Sequence, residues 1–277
     1  MNSNPAPSTG SSERPDALVL RALGTNCEHE TARALEAAGA TPNLLHWNAL
    51  CEDPSHLERA GLLVLPGGFS FGDDLAAGRV LGTLMRHELE GPIRAFVDRG
   101  GFVLGICNGF QVLVELGLLE GSPTPSTERR IALVDNDSDR YECRWVHLRN
   151  EASAATWLPS GEIWPCPVAH AEGQIALSEG ELERIESEGR VLLRYVTAEG
   201  GKPSYPAAPN GSVGDIAGLC DRTGRVIGLM PHPERNITPW HHPRWTRLPA
   251  REHGEGLGFF QALVEAARKP QPLGTAR

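Results

Sequence analysis

The chain has 277 residues, of which 40% are hydrophobic and 22% are charged, and its formal net charge is −9. These fractions exclude a disordered or fibrous protein, and the excess of acidic residues disfavours a nucleic-acid-binding protein, whose affinity depends on a concentrated basic surface. Its longest apolar runs are far shorter than the roughly 20 residues that span a bilayer, so we expect a globular protein outside the membrane.

The first residues are rich in Ser, Pro and Asn and lack the basic and apolar regions of a secretory signal. We therefore expect a cytoplasmic protein whose six cysteines are reduced thiols. No two cysteines have the spacing of a zinc ribbon, and no metal site is predicted. Residues 1–15 and 270–277 show no apolar period and are predicted to be flexible tails around a single domain, residues 16–269.

In the first half of the chain, short apolar runs alternate with helical patterns. Strands are predicted over residues 17–23, 43–47, 62–65 and 102–106. Helices are predicted over residues 28–38, 79–99 and 108–116, with a break in the second at Pro92. This alternation predicts a doubly wound, mostly parallel α/β sheet flanked by helices, in which ligands bind beyond the carboxyl ends of the strands.

The second half contains strand patterns with little helix between them. Strands are predicted over residues 131–134, 141–149, 163–169, 190–196, 216–220 and 226–230. The turn-forming residues 221–224 predict a hairpin between the last two. Helices are predicted over residues 179–188 and 257–268. Extra antiparallel strands are therefore expected in this half of the same domain.

The sharpest local signal is the Gly-x-Cys-x-Gly pattern of residues 105–109, between a predicted strand and a predicted helix. It is the thiol counterpart of the nucleophile elbow, in which a sharp strand-to-helix turn exposes the nucleophile and flanking glycines let neighbouring segments approach. The helix N-terminus behind Cys107 favours a thiolate. The alternative is a buried cysteine at the end of a core strand.

A thiol nucleophile needs a base and an orienting group. His232 and Glu234 follow the predicted strand 226–230, and extended backbone around Pro233 would point both side chains the same way. A structural loop explains this tripeptide equally well. The adjacent His241 and His242 are candidate metal ligands. A polar surface loop is the preferred interpretation of this pair.

Acyl transfer also needs an oxyanion hole. Pro66, Gly67 and Gly68 follow a core strand, and adjacent glycines can turn a backbone N–H toward the site; the N–H of Asn108 would be the second donor. The alternative is an ordinary turn. The segment is neither a dinucleotide-binding loop, which needs Gly-x-Gly-x-x-Gly, nor a P-loop, which needs a lysine.

Together these motifs resemble the class I, or triad, glutamine amidotransferases. Further segments narrow the resemblance to the glutaminase subunits of phosphoribosylformylglycinamidine synthase, over about residues 17–267. These segments are residues 24–27, 67–73, 105–111, 143–148, 167–173, 209–212, 216–218 and 228–235.

The resemblance implies a flavodoxin-like fold and a role for each matching residue. It implies that Cys107 is the nucleophile, that His232 is the general base and then acid, and that Glu234 orients His232. The resemblance assigns binding of the oxyanion and the substrate to Gly67, Gly68, Asn108 and Gln111. With less support, it assigns substrate contacts to Phe69, His170 and Glu172.

The resemblance also implies a reaction and partners. Glutamine would be hydrolysed to glutamate through a cysteine thioester, and the ammonia would pass to a synthetase subunit that uses ATP and Mg²⁺ to make formylglycinamidine ribonucleotide. A small accessory subunit is a further candidate partner, and no cofactor is expected in this chain. The alternatives are a glutaminase that feeds another acceptor, a related cysteine hydrolase and a non-catalytic scaffold. Gln111 and residues 143–148 disfavour the hydrolase, and the intact triad disfavours the scaffold.

Overall fold

The computed structural model describes residues 14–120 and 129–268, so the predicted tails fall outside the described residues except for residues 14 and 15. Within the described part, eleven strands form, and we number them in chain order. They are β1 Asp16–Arg21, β2 Thr41–His46, β3 Leu62–Leu65, β4 Phe102–Ile106, β5 Ile131–Val134, β6 Glu142–Asn150, β7 Ile163–His170, β8 Gln174–Leu177, β9 Val191–Val196, β10 Ile216–Cys220 and β11 Val226–Leu229.

Seven α-helices accompany these strands in the described residues. They are α1 Glu28–Ala37, α2 Trp47–Glu52, α3 His56–Arg59, α4 Arg79–Asp98, α5 Asn108–Leu116, α6 Glu181–Ser187 and α7 Gly256–Arg268. None of them combines the length and the apolar character that a bilayer-spanning segment needs.

Nine strands form one mixed sheet in the order β2-β1-β3-β4-β11-β10-β9-β6-β7. Strands β2, β1, β3, β4 and β11 are parallel to one another, whereas β10, β9, β6 and β7 add antiparallel pairs, with β10 and β11 joined as the predicted hairpin. Strands β5 and β8 form a separate antiparallel pair. The predicted fold class, a mostly parallel sheet with extra antiparallel strands in the second half, is confirmed.

The sheet is covered on both faces, because every residue of β3, β4 and β11 is buried. Helix α1 packs against α7, and α4 packs against α5. In the register of the sheet, Leu65 lies opposite Gly105 and Leu229 lies opposite Ile106. The chain segments that leave β3, β4 and β11 therefore emerge side by side at one edge of the sheet.

The predicted break at Pro92 is wrong. Helix α4 runs without interruption from Arg79 to Asp98, with Pro92 inside it. A proline in a helix interior removes one hydrogen bond and costs about 3 kcal/mol. Leu89, Ile93 and Phe96 are fully buried on either side of the proline. Burial of each such side chain contributes about 1.5–3 kcal/mol, which outweighs the cost.

The sequence patterns also missed three short elements and shifted several boundaries by one or two residues. Strand β8 and helices α2 and α3 were not predicted. The strand expected over residues 43–47 ends at His46, because Trp47 begins α2. The Nδ1 atom of His46 accepts a hydrogen bond of 3.3 Å from the Asn48 amide and so caps that helix, a role that residue type alone does not reveal.

Candidate active site

Cys107 lies in the turn between β4 and α5, with an unusual backbone conformation. Its φ of 51° and ψ of −108° place a non-glycine residue in a strained region. Its amide donates to the carbonyl of Leu229, and its own carbonyl accepts from the amides of Phe110 and Gln111, so the turn is tied to both β11 and α5. The thiol is 3.6 Å from the carbonyl oxygen of Ala169 and is largely buried.

The two glycines around Cys107 are required by close backbone approach. A Cβ added to Gly105 would lie 2.5 Å from the carbonyl oxygen of Gly109. A Cβ added to Gly109 would lie 1.9 Å from the carbonyl oxygen of Leu65. The helix therefore sits directly against β3 and β4, as the Gly-x-Cys-x-Gly pattern predicts.

His232 and Glu234 follow β11, and their side chains meet. The Nδ1–H of His232 donates to Oε1 of Glu234 at 2.6 Å, and both side chains are buried. The contact was expected, but the extended backbone predicted around Pro233 is wrong. Residues Pro233–Arg235 form a 3-10 turn, and the amide of Arg235 donates to the carbonyl of His232. A proline that opens such a turn fits because it has no N–H to satisfy.

The imidazole of His232 lies against the thiol of Cys107. Burial alone would lower the pKa of His232, but the Glu234 carboxylate and the thiols of Cys107 and Cys27 raise it well above its ordinary value. The ring is therefore a good acceptor for a thiol proton, with Glu234 stabilising the resulting imidazolium.

The loop after β3 brings Gly67 and Gly68 to the same place. The Gly67 carbonyl accepts from the amides of Asn26 and Cys27, and Gly68 forms an isolated bridge with Thr25. Gly68 has a φ of 145°, which favours glycine. The hydrogen bonds of that bridge are made by the residues next to Gly68. The amide of Gly68 itself is therefore not used in the bridge.

Asn108 is the first residue of α5, where backbone N–H groups have no partner within the helix. Its side chain is fixed on three sides. The carboxamide oxygen accepts from the Ser70 amide, and Nδ2 donates to Asp73 and to Gln111, each at 3.0 Å. This network holds the helix N-terminus beside Cys107.

Gln111, Glu172 and the loop before α4 are joined in one wall of the pocket. The Nε2 of Gln111 donates to the backbone carbonyl of Glu172 at 2.6 Å, and its Oε1 accepts from Asn108. The carboxylate of Glu172 accepts from the Ala77 amide at 3.1 Å. The side chains of Gln111 and Glu172 therefore stabilise this wall of the pocket through their hydrogen bonds.

His170 and Phe69 contribute to the pocket in different ways. His170 is buried, its Nδ1 lies 3.0 Å from Oδ1 of Asn136, and burial lowers its pKa to about 4, so the ring is neutral near pH 7. Phe69 is 46% exposed and lies at the rim. Both line the same cavity as Cys107 and His232.

Eight residues that line this cavity were not among the predicted site residues. They are Asn26, Cys27, Asp73, Ala77, Tyr141, Ala169, Ala171 and Arg235. Burial raises the pKa of Asp73, although the Gly78 amide and the Asn108 side chain oppose that shift. Several of these residues belong to the matching segments 24–27, 67–73 and 228–235, which is the signal that could have found them.

The histidine pair at 241 and 242 lies in a loop. Nδ1 of His241 accepts from the Ile237 amide, and Nδ1 of His242 accepts from the Arg244 amide. The ring of His242 also packs edge-on against Trp145. These contacts favour the structural interpretation of the pair over the metal site.

Comparison with known proteins identifies the family. A profile of the CobB/CobQ-like glutamine amidotransferase domain matches residues 14–265. Phosphoribosylformylglycinamidine synthase subunit PurQ of Dehalococcoides mccartyi is 41% identical over 254 residues, which cover 91% of this chain and 97% of that protein. The chain belongs to the PurQ family.

Other comparisons agree with this PurQ assignment. The PurQ subunit of Archaeoglobus fulgidus is 39% identical, over 93% of this chain and 98% of that protein. Among solved structures, PurLQS from Thermotoga maritima contains a chain that superposes with a TM-score of 0.68 and 31% identity, covering 91% of this chain and 99% of that chain. PurQ proteins therefore match this chain over nearly the whole length of the chain.

Proposed function

We propose that this chain is the glutaminase subunit of a phosphoribosylformylglycinamidine synthase. The observation that carries the proposal is the arrangement of Cys107, His232 and Glu234 at the carboxyl edge of the parallel strands, in a chain of the PurQ family. A strained nucleophile, a base in contact with it and a carboxylate that orients the base are the three parts of a triad.

The first half of the reaction forms a thioester. The Sγ of Cys107 attacks the carboxamide carbon of glutamine while His232 takes the thiol proton, and the carbonyl oxygen becomes an oxyanion. We assign the backbone amides of Gly68 and Asn108 as the donors to that oxyanion. When the carbon–nitrogen bond breaks, His232 returns the proton to the leaving nitrogen, and ammonia departs.

The second half regenerates the thiol. His232 removes a proton from water, and the hydroxide attacks the thioester carbon. The carbon–sulfur bond then breaks to release glutamate, and His232 returns the proton to the Sγ of Cys107. Glu234 keeps the Nδ1–H of His232 turned toward itself, so that Nε2 serves the reacting atoms in both halves. We assign Gln111, Glu172, His170 and Phe69 to the shape of the pocket that receives glutamine.

The ammonia requires an acceptor enzyme. The Thermotoga maritima relative was solved as PurLQS, which supports a synthetase subunit and a small accessory subunit as the partners of this chain. We assign ATP and Mg²⁺ to the synthetase, with no cofactor in this chain, because the glycine segment at Gly67 and Gly68 lacks the lysine of a P-loop. We place the complex in the cytoplasm. We also propose that residues 16–269 of this chain form a single domain.

The test is to reconstitute the chain with its synthetase and measure formylglycinamidine ribonucleotide formed with glutamine or with ammonia. Cys107→Ala should abolish the glutamine-dependent reaction and leave the ammonia-dependent reaction intact. Glutamine-dependent activity that survives Cys107→Ala would exclude the proposed nucleophile. A complex that releases ammonia but aminates a different acceptor would overturn the synthase assignment and leave the triad standing.

A further inference from the structure

Two carboxylates line the pocket that contains Cys107 and take no part in the proposed triad chemistry. They belong to Asp73, in the loop before α4, and to Glu172, in the turn between β7 and β8. Oδ1 of Asp73 accepts from the Gly78 amide at 3.2 Å, and Oε2 of Glu172 accepts from the Ala77 amide at 3.1 Å. Because these two amides belong to consecutive residues, the carboxylates lie close together.

Neither carboxylate is paired with a cation. Within residues 14–120 and 129–268, no Lys, Arg or His side chain forms an ion pair with Asp73 or Glu172, and Arg235, which lines the same cavity, pairs with Glu30 at 2.7 Å. Burial raises the pKa of Asp73, and the negative charge of Glu172 raises it further. Two like charges held side by side in a partly buried wall favour a cation that they can share.

His170 adds a buried acceptor to the lining of the same cavity. Nδ2 of Asn136 donates to the carbonyls of Arg140 and His170, so Oδ1 is the atom that accepts from the Gly173 amide and from Nδ1 of His170. Nδ1 of His170 therefore carries the proton, and Nε2 holds a lone pair. His170 is 3% exposed, and Nε2 has no hydrogen-bond partner in the described part of the chain. A buried acceptor of this kind normally has a donor, which indicates a ligand with N–H groups.

We propose that Asp73 and Glu172 bind the α-ammonium group of the substrate glutamine, with Nε2 of His170 as a third acceptor. An ammonium group has three N–H donors and a positive charge, and charge-assisted hydrogen bonds are about twice as strong as neutral ones. Nδ2 of Asn108, the residue after Cys107, donates to Asp73 at 3.0 Å. The α-nitrogen of glutamine is only four bonds from the carboxamide carbon that Cys107 attacks. The ammonium site must therefore adjoin the nucleophile, as this contact requires.

The inference rests on the proposed function, because it takes glutamine as the substrate. Its consequence is selectivity for a free α-ammonium group. A carboxamide substrate without that group would leave the two carboxylates without a cation, and a site whose polar groups are left unpaired discriminates strongly against such a substrate. Glutaramate, which is glutamine with hydrogen in place of the α-amino group, is the probe for this effect.

The complex of the chain with its synthetase is assayed for ammonia release from glutamine and from glutaramate. We expect the wild type to prefer glutamine by at least about 100-fold in kcat/KM. Asp73→Asn keeps an oxygen for Asn108 but removes the charge, and Glu172→Gln is the corresponding change. Each should raise KM for glutamine by about 10–100-fold and leave kcat/KM for glutaramate unchanged. Asp74→Asn, at the neighbouring exposed carboxylate outside the cavity lining, is the matched control and should keep the full preference.

His170 is tested by two substitutions with opposite expectations. A glutamine side chain can place an acceptor near the position of Nε2, whereas an asparagine side chain can replace only the donor at Nδ1. His170→Gln should therefore keep more of the preference for glutamine than His170→Asn. The reverse order would show that His170 acts only through its contact with Asn136, and would remove it from the set of acceptors.

Binding measurements complete the test. Calorimetry of glutamine with the complex that carries Cys107→Ala should show about 10–100-fold weaker binding when Asp73→Asn or Glu172→Gln is added. Equal losses for glutamine and glutaramate in these variants would overturn the ammonium site, as would a wild type that does not discriminate between the two substrates. A wild-type complex that neither binds nor hydrolyses glutamine would instead contradict the proposed function.

Discussion

Replacement of Gly109 by alanine tests the backbone contact that positions Cys107. Gly109 lies in the first turn of α5, and an added Cβ would be 1.9 Å from the carbonyl oxygen of Leu65 and 2.6 Å from its carbonyl carbon. Both atoms belong to the backbone of a fully buried strand and cannot rotate away. To reach an ordinary contact of 3.4 Å, the helix and the strand must separate by the difference, about 1.5 Å.

The cost of that separation is large in a packed interior. Overpacking costs about 1–3 kcal/mol and occasionally more, and a rigid backbone neighbour places this case at the upper end. The better helix propensity of alanine returns about 1 kcal/mol. We expect Gly109→Ala to lower the free energy of unfolding by about 2 kcal/mol. Because α5 carries Cys107 and the Asn108 amide, we also expect kcat for glutamine to fall by about 100-fold.

The assay pairs denaturant unfolding, followed by circular dichroism, with glutamate release by the reconstituted complex. Gly91→Ala is the matched control, because Gly91 also lies within a helix and an added Cβ there meets nothing within 4 Å. This control should gain about 0.5–1 kcal/mol and keep full activity. If Gly109→Ala behaves like Gly91→Ala in both measurements, the argument from close approach is wrong.

Three further predictions follow from single contacts. Glu234→Gln should lower kcat/KM for glutamine by about 10³–10⁴-fold, as loss of the orienting carboxylate does in a triad, while ammonia-dependent synthesis persists in the same complex. Pro92→Ala should raise the free energy of unfolding by about 1–3 kcal/mol, measured by urea denaturation, because it restores an N–H donor inside α4. Hydrogen bonding to Arg222, and then Arg190 and Arg184, holds the pKa of Glu188 at about 2, below its ordinary value of 4.5. The stability that the Glu188 carboxylate contributes to the fold is therefore present above about pH 4.5 and is lost as the pH falls toward 2. Glu188→Gln should flatten that part of the stability profile by about 1–2 kcal/mol. An unchanged profile would contradict the assignment.

The central strands and the nucleophile turn could be predicted because their causes are local. Strands β3 and β4 have the predicted bounds, since a parallel strand buried on both faces is a continuous apolar run that ends at Pro66 or at Cys107. The glycines around Cys107 are needed because backbone atoms approach closely there, and the Gly-x-Cys-x-Gly spacing indicates this requirement. Helix α5 likewise ends where Gly117 adopts a φ of 71°.

The remaining features depend on contacts between distant parts of the chain. The continuity of α4 through Pro92 is decided by what its buried face packs against, which periodicity does not report. The guanidinium of Arg235 binds both Glu30 and Cys27, which are more than 200 residues away in sequence. For this reason the sequence segment that contains Cys27 was recognisable, while its place beside His232 was not.

Gly67 connects the catalytic arrangement with the second thiol. Without a Cβ there, the imidazole of His232 can approach Cys107, and the same opening leaves room for the sulfur of Cys27 beside the ring. A bulkier residue would displace both His232 and Cys27, so the access of the base to its nucleophile and the presence of a second thiol beside it have one steric origin. The Arg235 guanidinium and the Asn26 carboxamide hold the Cys27 sulfur in hydrogen bonds. Cys27 is therefore held in the pocket by contacts of its own, separate from the turn that positions Cys107.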